Sequence, residues 1–408
     1  MLNYAAILIS ISALFGYINF RWLKLPATIG VMLISVVLGI SFKTLEVFHP
    51  DSVSPLRQFL TGFDFTAFVL DFILCFLLFA GALHVNINQL RGSLATVISY
   101  ATVGVVISTG FIGWLTHLVV YQFGYNLDLA SCLLFGALIS PTDPIAVIGI
   151  LSKYEIPKKL KIEIIGESLF NDGVGVVVFT VIYALTTGSA GSFTLGNGIK
   201  ILLTEVIGGL GIGFIVGFLG YILIKSIDHY QTEIMITLAI VTGGYSLASG
   251  FHASGPLAMV VAGLIIGNRG KEKAMSLTTA DYLDKFWELI DEICNTILFV
   301  LMGLEIFIIP FDKSYLLIGC ILILVTLAAR YISLLPAFFL FKRNETRKGL
   351  HLAVLTWGGL RGGISIALAL SLNNKIEGSS LFSVSTYCIV LFSIVVQGLT
   401  IPKLLSRF

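Results

Sequence analysis

Runs of about 20 apolar residues, the length a helix needs to cross a hydrocarbon core, recur along this chain with only short polar punctuation between them. No other feature limits the fold as strongly. Lipid offers no partners to backbone amides, so such segments must be helices that satisfy their own hydrogen bonds. We place thirteen spans, at roughly 4–20, 26–41, 65–87, 93–121, 128–151, 161–187, 198–225, 231–249, 255–268, 287–309, 314–341, 349–371 and 381–403. The ninth is short, so a tilted or only partial crossing is expected of it. The charged stretch from Asp281 to Glu292 precedes the tenth and is expected to lie along the interface. Charged residues make up 12% of the 408. Globular proteins carry roughly 25%, and so few charges could not cover a soluble surface of this size.

The placement of the basic residues sets the orientation. With the N-terminus outside, eighteen Lys and Arg fall in inner segments, among them Arg21, Lys24, Lys153, Lys271, Lys342, Arg343, Arg347 and Arg407, and five fall outside. The first run has its basic residues after it, the wrong polarity for a cleaved signal peptide. The expectation is a multi-pass protein of the cell (inner) membrane with its C-terminus in the cytoplasm. Cys75, Cys132, Cys294, Cys320 and Cys388 all lie inside apolar runs, as small core or lipid-facing residues rather than a disulfide framework.

Two spans are interrupted. The fifth contains Ser140-Pro141-Thr142-Asp143-Pro144, where the prolines remove backbone donors and disfavour helix before each ring. The twelfth contains Gly358-Gly359-Leu360-Arg361-Gly362-Gly363, four glycines around a buried arginine. The breaks lie an odd number of spans apart, so the two helices cross the membrane in opposite directions. Inverted repeats require that relation, and paired interrupted helices point to a transporter site.

Ionisable groups within a membrane are costly and mark function. In Glu167-Ser168-Leu169-Phe170-Asn171-Asp172, Asp172 lies about eleven residues, or roughly 16 Å, from the inner end of its helix, close to the bilayer centre. Ser168 is one turn before it on the same face, and Glu167 and Asn171 form a neighbouring pair four apart. A carboxylate, a hydroxyl and an amide are hard oxygen ligands suited to a small cation. Asp143 stands where a broken helix exposes amides and carbonyls, and the freed carbonyl of Thr142 is available to a cation. Arg361 is its opposite number in the second break. Arg330 is a further buried cation that needs a carboxylate. His84, His117, His252 and His351 read as scattered structural residues. No zinc-protease run, Cys/His metal spacing or phosphate loop is present. The contexts of Asp143 and Asp172 do not suit an aspartyl protease dyad, so no enzymatic activity is expected.

Ser140-Pro-Thr-Asp-Pro-Ile-Ala-Val147, Gly166-Glu-Ser-Leu-Phe-Asn-Asp-Gly173 and Trp357-Gly-Gly-Leu-Arg-Gly-Gly363 together resemble the three hallmark segments of the monovalent cation:proton antiporter 1 family. That family includes bacterial antiporters of the NhaP type and the animal sodium/proton exchangers. The resemblance covers essentially the whole chain, and His252 to Met259 followed by Gly263 to Asn268 fits it as well. It implies an all-α antiporter fold with two broken crossing helices. It also implies electroneutral exchange of sodium, lithium or potassium for protons, without cofactor or nucleic-acid partner.

Asp172 would bind cation and proton alternately. Ser168, the Thr142 carbonyl and Glu167, directly or through water, would complete the cation site. Asn171 would steady Glu167, Glu167 would pair with Arg330, and Asp143 and Arg361 would sit at the helix crossing. Spans four to six and eleven to thirteen, about 93–187 and 314–403, would form a moving transport core. Spans one to three and seven to ten would form a dimer-forming scaffold. One departure concerns Leu77-Leu-Phe-Ala80: family members commonly carry glutamate where Ala80 stands, which leaves the partner of Arg361 open. The rival class is a sodium-coupled solute symporter of similar build, which would need room and polar lining for an organic substrate near the breaks.

Overall fold

The computed structural model describes residues 2–143, 156–187, 195–309, 312–341, 348–373 and 375–406, and no strand occurs among them. The expected second half of the fifth span, with Pro144, and the basic residues Lys153, Lys342, Arg343, Arg347 and Arg407 lie outside the described residues. We label the principal helices α1 (Tyr4–Leu23), α2 (Ala27–Phe48), α3 (Phe65–Leu83) and α4 (Leu94–Gln122). They continue with α5 (Leu129–Ile139), α6 (Lys158–Thr186), α7 (Leu195–Lys225), α8 (Tyr230–Gly250) and α9 (Gly255–Ile265). The last five are α10 (Leu277–Glu305), α11 (Lys313–Phe341), α12 (Lys348–Trp357), α13 (Gly363–Ser371) and α14 (Ser379–Leu405).

Nine helices among the described residues are long and apolar enough to cross a membrane. The count of thirteen spans further requires α5, α9, α10 and the α12–α13 pair, which length and composition alone do not qualify: three are short and one is charged. One expectation needs correction. Asp281 to Glu292 is not a separate interfacial segment; it lies inside the unbroken 29-residue α10, whose start Ser276 caps by accepting from the Thr279 amide at 3.3 Å. The segment between α2 and α3, which lies between two expected spans, holds a helix over Pro50–Thr61 that buries Val53 and Leu60. Pro50 at its first turn costs no hydrogen bond, because those amides lack helical partners anyway.

The helices pack in two groups. In one, α4 lies on α5 and α11, α11 on α14, and α6 on α5. Phe135 of α5 stacks on Phe382 of α14 with ring centres 5.3 Å apart. In the other, α7 lies on α8 and α9, α9 on α3, and α10 on α2 and α3. There Phe79 meets Trp287 at 4.7 Å, and the Trp287 Nε1–H donates to Thr237 Oγ1 at 3.0 Å.

Lipid tails are as apolar as leucine, so helices in a membrane associate by close van der Waals packing at small residues. Gly136 of α5 shows the requirement. A Cβ there would sit on the Thr109 carbonyl of α4 and 3.0 Å from the Gly113 nitrogen, whereas Gly110, one turn from Gly113, faces open space. Gly136→Ala should therefore lower the thermal midpoint of the detergent-purified protein, an overpacking cost of about 1–3 kcal/mol. Gly110→Ala should not lower it, since alanine is the better helix former by about 1 kcal/mol. Equal effects of the two would contradict this account of the α4–α5 contact.

Candidate functional site

Both interruptions are present, and they meet. Helix α5 ends at Ile139 and the chain runs on as non-helical backbone through Pro141, Thr142 and Asp143. Helix α12 ends at Trp357, and non-helical backbone through Gly362 leads to α13. The Asp143 amide donates to the Leu360 carbonyl at 2.7 Å, so one break supplies a partner for the backbone of the other. The glycines of the second break allow this approach. A Cβ at Gly362 would overlap the Asp143 side chain, and one at Gly359 would lie 2.6 Å from Arg330 Nε.

Arg361 finds its partner here. Its Nη1 donates to the carbonyls of Ser140 at 2.7 Å and Pro141 at 2.8 Å, and its backbone N–H donates to Ser393 Oγ at 2.9 Å. The last carbonyls of a helix lack intrahelical donors and carry a partial negative charge. Proline at 141 and 144 guarantees that the chain offers fewer amides to meet them. The guanidinium fills that need. It makes no ion pair with a side chain among the described residues, and Ala80, buried on α3, has no polar atom to offer it.

Helix α6 runs past the first break. Ser168 Oγ donates to the Thr142 carbonyl in a short hydrogen bond. The Asn171 amide holds Thr142 from both sides: Nδ2 donates to Thr142 Oγ1 at 2.7 Å, and Oδ1 accepts from the Thr142 amide at 3.4 Å. Asn171 thus fastens Thr142 rather than Glu167. Glu167 is instead gripped fork-to-fork by Arg330, with Nη2 to Oε2 at 2.8 Å and Nη1 close to Oε1. Arg330 spends its remaining donors on the Leu355 carbonyl, at 3.3 Å from Nε and 3.1 Å from Nη2. A small cleft is lined by Thr142, Asp143, Ile164, Glu167, Ser168, Arg330, Leu355 and Gly358.

Asp172 stands one turn beyond Ser168 on α6. It is only 8% exposed, yet no hydrogen bond or ion pair reaches its carboxylate among the described residues. Every other polar residue of the cluster is engaged. A buried carboxylate held apart from donors, one turn along α6 from Ser168, whose Oγ reaches the Thr142 carbonyl, is an arrangement that a cation or a proton can complete.

Three of the four histidines singled out in the sequence have polar contacts. His351 Nε2 meets Glu163 Oε2 at 3.1 Å, both buried, where α12 packs near the start of α6. His84 Nδ1 lies 2.7 Å from the Ala80 carbonyl and His117 Nδ1 3.0 Å from the Leu127 carbonyl. The Glu163–His351 contact was not read from the sequence; two titratable residues 188 positions apart carry no local signal of pairing.

A family model described as sodium/hydrogen exchanger, transmembrane, matches residues 9–407. The chain is 44% identical to the Na(+)/H(+) antiporter NhaP of Pseudomonas aeruginosa over 413 aligned positions, covering 100% of this chain and 97% of that protein. It is 33% identical to the Na(+)/H(+) antiporter NhaH of Halobacillus dabanensis, covering 95% and 93%. Among solved structures it superposes on the sodium proton antiporter MjNhaP1 of Methanocaldococcus jannaschii at pH 8, with a TM-score of 0.76 across 100% of this chain and 98% of that one. At 21% identity that likeness speaks to the fold alone. The fold, the order of the interrupted segments and the full-length match together make this chain a member of the sodium/hydrogen exchanger family.

Proposed function

We propose that the protein exchanges sodium, or lithium or potassium in its place, for protons across the cell membrane, one for one, with Asp172 carrying each in turn. The observation that carries this is the isolation of Asp172: a buried carboxylate without a protein partner among the described residues, one turn along α6 from Ser168. Ser168 and the Thr142 carbonyl supply further oxygens, and Asn171 holds Thr142 in position. Protonated Asp172 is neutral, and cation-bound Asp172 is nearly so. Bare Asp172 is charged, and carrying it through a low-dielectric region is expensive. Proton and cation therefore compete for one group, and the empty carrier does not cross.

Glu167 acts as a fixed charge in this scheme, because both its oxygens are taken by Arg330. Asp143 and Arg361 hold the crossing together. The moving part is the group around α4–α6 and α11–α14, shifting as a body against α1–α3 and α7–α10; the two packing groups support that division. Orientation follows the basic residues, N-terminus outside and C-terminus cytoplasmic, and the scaffold helices form the homodimer.

With a single titrating carboxylate, one bound cation displaces one proton and no net charge moves. Proteoliposomes loaded with each alkali cation in turn should show cation-dependent proton flux. An imposed diffusion potential should leave the rate and the end point unchanged. Exchange driven past the chemical gradients by an inside-negative potential would refute the one-to-one stoichiometry, and with it the role of Glu167 as a fixed charge.

A further inference from the structure

One face of α10 carries a graded series of oxygen ligands. Asp281, Asp284, Glu288, Asp291 and Asn295 follow one another at spacings of three and four, so they line a single stripe of the helix. The stripe starts exposed at Asp281 and ends buried at Asn295, with Asp291 half-buried between. Its outer members have basic partners. Lys285 Nζ lies 2.6 Å from Asp281; Lys271 and, at 3.6 Å, His84 meet Asp284. Glu288 and Asp291 make no ion pair among the described residues.

Asn295 is the anomaly. It is 2% exposed, and neither its Oδ1 nor its Nδ2 makes a hydrogen bond of good geometry. A buried amide left so costs about 1–3 kcal/mol and calls for an explanation. The carboxylate of Asp291, one turn before it, lies within reach of that amide. The stripe then runs into the second break. Leu298, the next residue of the same face, packs on Gly363, where a Cβ would lie 2.5 Å from its Cδ1. The neighbouring Gly362 holds the Asp143 side chain. The end of the stripe is thus one residue along the second break from the contact with Asp143.

We infer that Asp291 and Asn295 form a waypoint for the transported monovalent cation between the cytoplasmic face and Asp172. The inference rests on the antiport reading above. A carboxylate oxygen and an amide oxygen one turn apart are hard ligands for a partly hydrated alkali cation. The acidic stripe raises the local cation concentration at the mouth. From the waypoint the cation passes Asp143 to the Thr142 carbonyl, Ser168 and Asp172.

The test is sodium-driven proton flux in everted vesicles, which present the cytoplasmic face, compared with right-side-out vesicles. In everted vesicles Asp291→Asn and Asn295→Leu should raise the KM for sodium about tenfold, the equivalent of about 1.4 kcal/mol. That rise should exceed any fall in maximal rate. Asp291→Glu, which keeps the carboxylate, should restore most of the affinity, and KM from the opposite face should not follow the cytoplasmic one. An unchanged KM, a loss of maximal rate alone, or equal KM changes at both faces would overturn the waypoint while leaving the antiport reading intact. A wild-type protein without cation-driven proton flux would bring down both.

Discussion

Asp172→Asn should abolish cation–proton exchange while leaving the protein folded. Asparagine has the shape of the protonated aspartate but can neither release a proton nor neutralise a cation, so the carrier is locked in one of its two neutral forms. The carboxylate gives up no hydrogen bond or ion pair among the described residues, so the substitution removes a buried charge without orphaning a partner. The thermal midpoint in detergent should therefore hold or rise, where most buried polar substitutions lower it. A second readout follows from mass action. Sodium that binds the folded wild type at 100 times its Kd should stabilise it by about 2.7 kcal/mol, and that increment should vanish in Asp172→Asn. Exchange at wild-type rates in the variant, or sodium stabilisation that survives it, would remove Asp172 from the site.

The parts of this site that were legible in the sequence are those that break a local rule. Two prolines three apart, and four glycines around an arginine, cannot continue a helix, and their opposed directions made a crossing of the two breaks foreseeable. A lone Arg330 in an apolar run demands a carboxylate, and Glu167 on a facing helix answered it. The Thr142 carbonyl apart, what stayed hidden was what the backbone contributes. Arg361 is met by the carbonyls of Ser140 and Pro141, and main-chain acceptors leave no trace in residue type. The same holds for Asn171, which fastens Thr142 partly through its amide.

The misreading of α10 had another cause. Its charge suggests a segment lying along the interface, whereas the spacing of three and four between the charges is the signature of a continuous helix with a polar stripe. The Pro50–Thr61 helix leaves little trace in the sequence because its apolar residues are few and it carries two prolines; Pro50 sits at its start, where proline favours helix, but Pro55 lies inside it.

Separating Glu167 from Arg330 should cost more stability than any other single change at the site except loss of the breaks themselves. Each is a buried charge, at 2% and 7% exposure, and removing one partner of such a pair typically costs about 3–5 kcal/mol because the other is left uncompensated. The two single variants should not be equal. Arg330→Met leaves Glu167 without its fork and also deprives the Leu355 carbonyl of both donors. Glu167→Gln leaves Arg330 charged but still bonded to Leu355, and the new amide can accept from it through its remaining oxygen. Arg330→Met should therefore give the lower thermal midpoint and yield. In Glu167→Gln/Arg330→Met no buried charge is left over, so the double variant should be more stable than Arg330→Met alone, short of wild type by the unpaired Leu355 carbonyl. That non-additivity is the measurement that matters, since residues within one ion-pair network couple and independent ones add. Losses that simply sum in the double variant would mean the two side chains do not stabilise the fold as a pair, whatever their geometry, and Glu167 would then have to be weighed as a second titrating group of the transport site.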